Sequence, residues 1–227
     1  MEQHESAGTI DIVLATGNRD KVRELKPVLE GIHPAIRVRA LFELGLKADV
    51  EETEATLEGN ARLKAEAIFE LVGTQLNHFI ALADDTGLEV SALDGAPGVY
   101  SARFAPVAAG QSPTYADNVR HLLDRMKGET NRSARFRTVI AMKGLLPSAA
   151  KGDVTIDETV EGSVEGVITE TTIGEGGFGY DPIFMPVETG KTFAQLTIDE
   201  KNAISHRGWA VQAAVGRIQE LLTQCGL

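Results

Sequence analysis

The feature that most constrains this chain is a repeated pairing of a short buried run with an amphipathic helix, joined by a polar turn. "IDIVLA", residues 10–15, reads as a mostly buried first strand. "TGNRDK" is the turn behind it, and Val22, Leu25, Val28 and Leu29 fall on one helical face near Lys21–Leu29. Pro27 is expected to kink or shorten that helix. Ile36–Ala40 predicts a second strand. Thr56–Val72 predicts a helix with Leu57, Ala61, Ile68, Leu71 and Val72 inward and Gly73 as its stop. Phe79–Ala83 is a third strand. Ser112 is expected to cap a further helix with Pro113 in its first position, Val119, Leu122, Leu123 and Met126 inward, and Gly128 closing it. Residues 134–146 and 153–168 read as strands. Thr197 and Glu200 match a capping box, and a last helix from about Ser205 turns Ala210, Ala214, Ile218, Leu221 and Leu222 inward. Strands alternate with helices early and extended segments cluster in the middle, which predicts an α/β protein with a mixed sheet.

The chain has 227 residues, of which 43% are hydrophobic, enough for one large domain or two lobes around one sheet. Its net charge of −11 leaves no cationic footprint for a nucleic-acid backbone and no general pull toward anionic membranes. Cys225 is the single cysteine, so neither a disulfide framework nor a cysteine metal site forms within one chain. The polar start "MEQHESAG" lacks the apolar core of a signal peptide, and no apolar run approaches the roughly 18 residues of a membrane span. These features predict a cytoplasmic protein with residues 1–8 as a disordered tail.

Three segments carry polar chemistry. "ATGNRDK", residues 15–21, joins a strand to a helix, so backbone N–H groups and the helix dipole point at the turn. Thr16, Asn18 and Lys21 suit a phosphate, although the Walker pattern is absent. An asparagine-capped turn with a solvated lysine explains the same residues. "GEGGFGYDP", residues 174–182, satisfies G-x-G-x-x-G formally, but an extended or turn-like segment follows where the dinucleotide motif needs a helix. A mobile glycine loop fits better, presenting Phe178 for stacking on a planar base and Asp181 to accept a base N–H; a plain turn with a core phenylalanine is the alternative. "SHRGWA", residues 205–210, places His206 and Arg207 in a helix's first turn, as donors or as an exposed cap.

"LADDTGLEV", residues 82–90, sets Asp84 and Asp85 directly behind an apolar run. Adjacent strand side chains point to opposite faces, so both reach one pocket only if the strand ends or bends there. Such a place is the usual ligand crevice of an α/β sheet. With the acidic stretch Glu51–Glu54 opposite, two or three carboxylate oxygens would suit Mg²⁺, which completes its shell with water and phosphate. An acidic turn is the plain alternative.

Taken together, "VLATGNRDKVREL", "ADDTGLEVSALDGAPGVYSARFA", "GEGGFGYDPIF" and "LTIDEKNAISHRGWA" resemble the noncanonical purine nucleoside triphosphate pyrophosphatases, the inosine/xanthosine triphosphate family. The motifs stand in the family's order and span about residue 10 to 215. The resemblance implies an elongated mixed β-sheet flanked by helices in two lobes, a nucleotide cleft between them, and a homodimer. The implied reaction hydrolyses ITP, dITP or XTP to the monophosphate and pyrophosphate with Mg²⁺. By the same resemblance, Thr16, Gly17, Asn18, Arg19, Asp20 and Lys21 match the phosphate-binding turn, and Lys64 matches a helix lysine that reaches the phosphates. Glu51 matches the metal-binding glutamate, with Glu52 beside it as fallback. Asp85 matches the catalytic acidic residue and second metal ligand, and Thr86 stands where the family has serine. Phe178, Gly179, Tyr180 and Asp181 match the base-recognition loop, and Lys201, His206 and Arg207 match further substrate contacts. One region departs: the family reads E-T-G-x-T-F-x-E-N-A where this chain has "ETEATLEGNA", residues 52–61.

This reading makes Asp85 the group that orients and deprotonates a water attacking the α-phosphorus. Lys21, Lys64 and Lys201 offset the triphosphate charge, and His206 or Arg207 donates to the purine 6-carbonyl. Adenine would leave those donors unpaired. Rival readings are an aspartyl phosphatase, whose D-x-D-x-[TV] signature fails here, a non-catalytic nucleotide sensor, and a relative acting on modified pyrimidine triphosphates.

Overall fold

The structure, a computed structural model, describes residues 9–17, 19–148, 150 and 152–227, with the side chains of Asp20 and Glu24 left aside. The tail expected at residues 1–8, and Asn18 of the phosphate-binding turn, lie outside the described residues.

Among the described residues seven strands form one mixed sheet: β1 (Ile10–Leu14), β2 (Ile36–Ala40), β3 (Phe79–Val90), β4 (Pro97–Gly98), β5 (Ser133–Leu146), β6 (Val154–Ile168) and β7 (Phe184–Pro186). Their order is β2-β1-β3-β5-β6-β7, with β4 pairing β3 on its β1 side. The β2-β1-β3 part is parallel, and everything from β3 through β5 and β6 to β7 is antiparallel. The expected mixed α/β architecture is therefore the observed one. Among the described residues five α-helices accompany the sheet: α1 (Arg19–Glu30), α2 (Leu57–Val72), α3 (Tyr115–Arg125), α4 (Ile198–Ile204) and α5 (His206–Cys225). Among the described residues no helix is long and apolar enough to cross a membrane.

Strand alternation decides which helix each face of β3 meets. Ile80 and Leu82 pack with α1 and α5, in one cluster with Leu25, Leu29, Ala210, Ala214 and Ile218. Ala81 and Ala83 turn the other way, toward Ile68, Val72, Ala61 and Ala65 of α2. A further cluster joins Leu88, Phe136 and Val164 to Val119 and Leu122 of α3 and to Tyr180, Phe184 and Phe193. The long strands β3, β5 and β6, of 12, 14 and 15 residues, carry this pattern from one cluster to the next.

Several expectations shift. The third strand does not stop at Ala83; it runs to Val90, because β5 pairs with it continuously from Phe79 to Val90. The helix expected at Pro113 begins at Tyr115, since Thr114 forms a capping box with Asp117 and its hydroxyl accepts from the Asp117 N–H at 3.1 Å. Pro27 neither stops α1 nor shortens it before Glu30, and Val28 is 38% exposed rather than inward. The Thr197–Glu200 box holds as expected and opens α4, while Ser205 caps α5 as a separate helix.

The seat of α5 depends on one missing side chain. Gly162 of β6 lies opposite Thr138 of β5, and a Cβ there would stand 2.2 Å from the His206 carbonyl oxygen and 2.4 Å from the Ala210 nitrogen. The first turn of α5 thus rests directly on strand backbone. Gly162→Ala is expected to lift α5 and cost about 3 kcal/mol, read as a lower urea midpoint than wild type.

Candidate active site

Asp84 and Asp85 follow Ala83 in unbroken strand, so they leave β3 on opposite faces. Asp84 takes the α1/α5 face. Its carboxylate accepts from Lys21 Nζ at 2.8 and 2.9 Å, and the Arg207 guanidinium stands 3.7 Å away. Asp85 takes the α2 face, where Lys64 Nζ is 2.6 Å from its carboxylate. The strand does not end at the pair but continues to Val90, so the condition for both to reach one pocket is not met. On one edge of β3, β1 pairs only as far as Leu82 and β4 begins only at Leu88, so residues 84–87 face no strand and leave a gap. Lys64 reaches into it, donating also to the Asp84 carbonyl at 3.2 Å.

The two carboxylates are pushed apart electrostatically. Burial alone would raise Asp84, but Lys21, Arg207 and Lys64 outweigh it and hold the group far below the ordinary carboxylate range. Asp85 is raised: burial comes first, and Glu52 and Asp84 add to it against the opposing pull of Lys64. Burial likewise works against the Lys64 charge, yet Asp85 and Glu52 leave the ammonium above its usual value. Two neighbouring carboxylates with divided proton affinities are a pattern that separates a fixed anion from a working base.

Glu52, not Glu51, belongs to this cluster. Glu52 Oε1 accepts from Lys64 at 2.9 Å and Oε2 accepts from Arg103 at 2.7 Å, and these bonds overcome burial to keep the carboxyl below its ordinary value. Glu51 is exposed, with no hydrogen bond or ion pair among the described residues. The loop is tied down by Asn60 of α2, fully buried, whose Oδ1 accepts from the Glu54 N–H at 2.9 Å and whose amide donates back to the Glu54 carbonyl at 3.3 Å. Positions 54 and 59 are coupled: a Cβ on Gly59 would lie 2.7 Å from Glu54 Cβ, so the Glu54 side chain occupies room that a side chain at 59 would need.

Nine of the sequence-derived residues line one cleft of about 240 Å³: Lys21, Thr86, Phe178, Gly179, Tyr180, Asp181, Lys201, His206 and Arg207. Phe178 is 39% exposed, with the Lys201 and Arg207 cations 4.9 and 5.6 Å from its ring centroid. Burial raises the Tyr180 phenol, which stays a donor, to the Ser101 carbonyl at 2.9 Å. Asp181 is occupied within the loop: its Oδ2 accepts from the Phe178 N–H at 2.8 Å and from Lys201 at 2.5 Å. It orders the loop against α4. Thr16, Gly17 and Lys64 line a second opening of about 180 Å³ with Asp49 and Val50. Arg19 lies with its guanidinium over the Phe42 ring, 5.5 Å from the centroid, and Asp20 contributes the backbone of α1's first turn.

His206 sits 95% buried, stacked on Phe136 at 4.7 Å, with Nδ1 2.7 Å from Thr138 Oγ1. Burial and the adjacent Arg207 and Lys201 charges hold its pKa well below the ordinary value, so the ring is neutral. Sequence reading missed Thr138 and Arg103. Arg103 lay inside a motif that carried the resemblance, whereas Thr138 had no signal beyond a hydroxyl on the strand face of Ala134, Phe136, Ile140 and Met142. The unfolded chain takes up a proton at His206 near pH 6.5 and the folded chain does not, so stability falls as pH drops below that value. The expected slope in urea unfolding between pH 6.5 and 5.5 approaches about 1.4 kcal/mol per pH unit and flattens in His206→Gln.

A profile of the Ham1 family matches residues 12–216. A dITP/XTP pyrophosphatase of Chlorobaculum tepidum is 67% identical over 218 residues, which are 96% of this chain and 96% of the relative. Another protein of that name, from Staphylococcus epidermidis, is 44% identical over 89% of this chain and 93% of its own length. The solved structure of a HAM1 protein from Coxiella burnetii superimposes with a TM-score of 0.79 at 34% identity, covering 93% of this chain and all of that one.

Proposed function

The chain belongs to the Ham1 family, and from that premise we propose that it hydrolyses noncanonical purine nucleoside triphosphates, ITP, dITP and XTP, to the monophosphate and pyrophosphate. The observation that carries the chemistry is the division of the consecutive carboxylates, one lowered by cations and one raised by burial. A raised carboxylate holds a proton more readily than an ordinary one, which suits Asp85 to take it from a water attacking the α-phosphorus. Asp84 stays ionised and keeps Lys21 and Arg207 at the wall of the cleft. Lys21, Lys64 and Lys201 oppose the triphosphate's charge, in a protein whose net charge is −11.

Mg²⁺ takes few protein carboxylates and fills its shell with water and phosphate. Among the described residues no group of three or more His, Cys, Asp or Glu side chains is gathered as a metal centre. Glu52 and Asp85 nevertheless converge on one cation, the Lys64 ammonium, at 2.9 and 2.6 Å. Hard carboxylate oxygens from two residues at one point suit a divalent ion completed by substrate phosphates, and Glu52 and Asp85 are the residues that would hold it. When bound, it supplies Lewis-acid stabilisation of phosphoryl oxygens.

The purine is read between Phe178, worth about 1–3 kcal/mol as a stacking platform, and the donors His206 and Arg207. A 6-carbonyl accepts from them, and a 6-amino group leaves them unpaired. The homodimer that the resemblance implies and the cytoplasmic location expected from the sequence belong to the same proposal; light scattering at twice the 24.3 kDa of one chain would support the dimer.

With ITP and Mg²⁺ in ¹⁸O water, one turnover is expected to release unlabelled pyrophosphate and IMP carrying the label. Orthophosphate as product, or no product, defeats the proposal, and protein-derived oxygen in IMP would favour a covalent aspartyl route. Asp85→Asn is expected to lower kcat by about 10²–10⁴ with the unfolding midpoint preserved. Asp84→Asn, which removes the buried charge that Lys21 and Arg207 face, is expected to cost about 3 kcal/mol of stability, measured by urea titration.

A further inference from the structure

Thr138 stands behind the cleft wall, fully buried, with its Oγ1 2.7 Å from Thr86 Oγ1 and 2.7 Å from His206 Nδ1. Thr86 and His206 both line the cleft. The three groups therefore form a hydrogen-bonded chain with cleft-lining residues at each end and one closed link between them. Its geometry is fixed by the sheet: Thr138 lies directly across from Thr86 on β3 and from Gly162 on β6, and the absent side chain at Gly162 lets α5 bring His206 down onto it. Phe136 fixes the imidazole plane, with 19° between the rings.

A hydroxyl carries one hydrogen and a neutral imidazole carries one N–H. Thr138 thus donates to one neighbour and accepts from the other, and the chain has two polarities. In one, Thr86 donates to Thr138 and Thr138 donates to His206 Nδ1, which leaves Nε2–H as a donor. In the other, Nδ1–H donates to Thr138 and Thr138 donates to Thr86, which leaves Nε2 as a bare acceptor. The first suits a 6-carbonyl and the second suits a 6-amino group. Nε2 makes no hydrogen bond of its own among the described residues, so the choice of tautomer rests on what Nδ1 does.

We propose that Thr138 is a specificity-determining positioning residue: by accepting from Thr86 and donating to His206 Nδ1, its hydroxyl holds the imidazole in the tautomer that presents Nε2–H to a 6-carbonyl purine. This rests on the triphosphate pyrophosphatase reading above and names how that site rejects adenine. It also assigns Thr86, whose hydrogen is turned inward, to accept from a donor such as a sugar hydroxyl or water; a phosphate oxygen offers it no hydrogen. The burial that keeps His206 neutral supports the arrangement, since an imidazolium would donate from both nitrogens.

The test compares kcat/KM for ITP and ATP in wild type, Thr138→Val and Thr138→Ser. Valine keeps the shape and removes the hydroxyl, while serine restores it. The ITP/ATP ratio is expected to fall at least tenfold in the valine variant and to return to within about threefold of wild type in serine, tenfold being about 1.4 kcal/mol of lost discrimination. A ratio unchanged in valine, or lowered equally in serine, overturns the relay while leaving the pyrophosphatase reading intact. A wild-type protein that does not hydrolyse ITP sinks that reading and the relay's specificity role with it. Independently of any variant, ¹⁵N-histidine spectra of the wild type with bound IMP are expected to show His206 protonated at Nε2 and bare at Nδ1; the opposite tautomer overturns the proposal.

Discussion

Two carboxylates on consecutive positions of one strand organise this molecule. Because β3 runs without a break through Asp84 and Asp85, the pair cannot face the same way, and each collects its own cations from a different helix layer. Asp84 draws Lys21 of α1 and Arg207 of α5 to one face, and Asp85 draws Lys64 of α2 to the other. The edge of β3 beside both is interrupted between the end of β1 and the start of β4. The sheet thus holds two like charges on opposite faces, each with its own cations.

That arrangement explains why the surrounding segments are built as they are. The loop bearing Glu52 needs a fixed path to share Lys64 with Asp85, and buried Asn60 provides it through two hydrogen bonds to Glu54. The close fit of the Glu54 side chain against Gly59 belongs to the same path. On the opposite face, the close approach at Gly162 lowers α5 until His206 meets Thr138. Thr86, at one end of the hydrogen-bonded chain through Thr138 to His206, follows Asp85 directly on β3.

Much of this was legible in the sequence. The 3.6-residue spacing in α2 and α5, the apolar run of β1 and the extended segments of β2, β5 and β6 mark these elements to within a residue or two, because burial on one face dictates the pattern. The resemblance gathered nine residues that do share one cleft. Other features were hidden for physical reasons. The continuation of β3 past Ala83 depends on pairing with β5, far away in sequence, and acidic residues read locally as a turn. The choice of Glu52 over Glu51 depends on Lys64 and Arg103 reaching it from separate elements. Thr114 won over Ser112 as a helix cap through its reciprocal bond with Asp117, three residues ahead. Thr138 acts through contacts on two other elements, which no local pattern records.

The division of labour between the two carboxylates is tested most directly by following their side-chain ¹³C signals through a pH titration of the substrate-free protein. The account predicts that the Asp85 carboxyl takes up its proton above the ordinary aspartate range, near 3.9 in model peptides, and that Asp84 remains ionised well below it. Coincident titration of the two, or Asp84 protonating first as the pH falls, would contradict it.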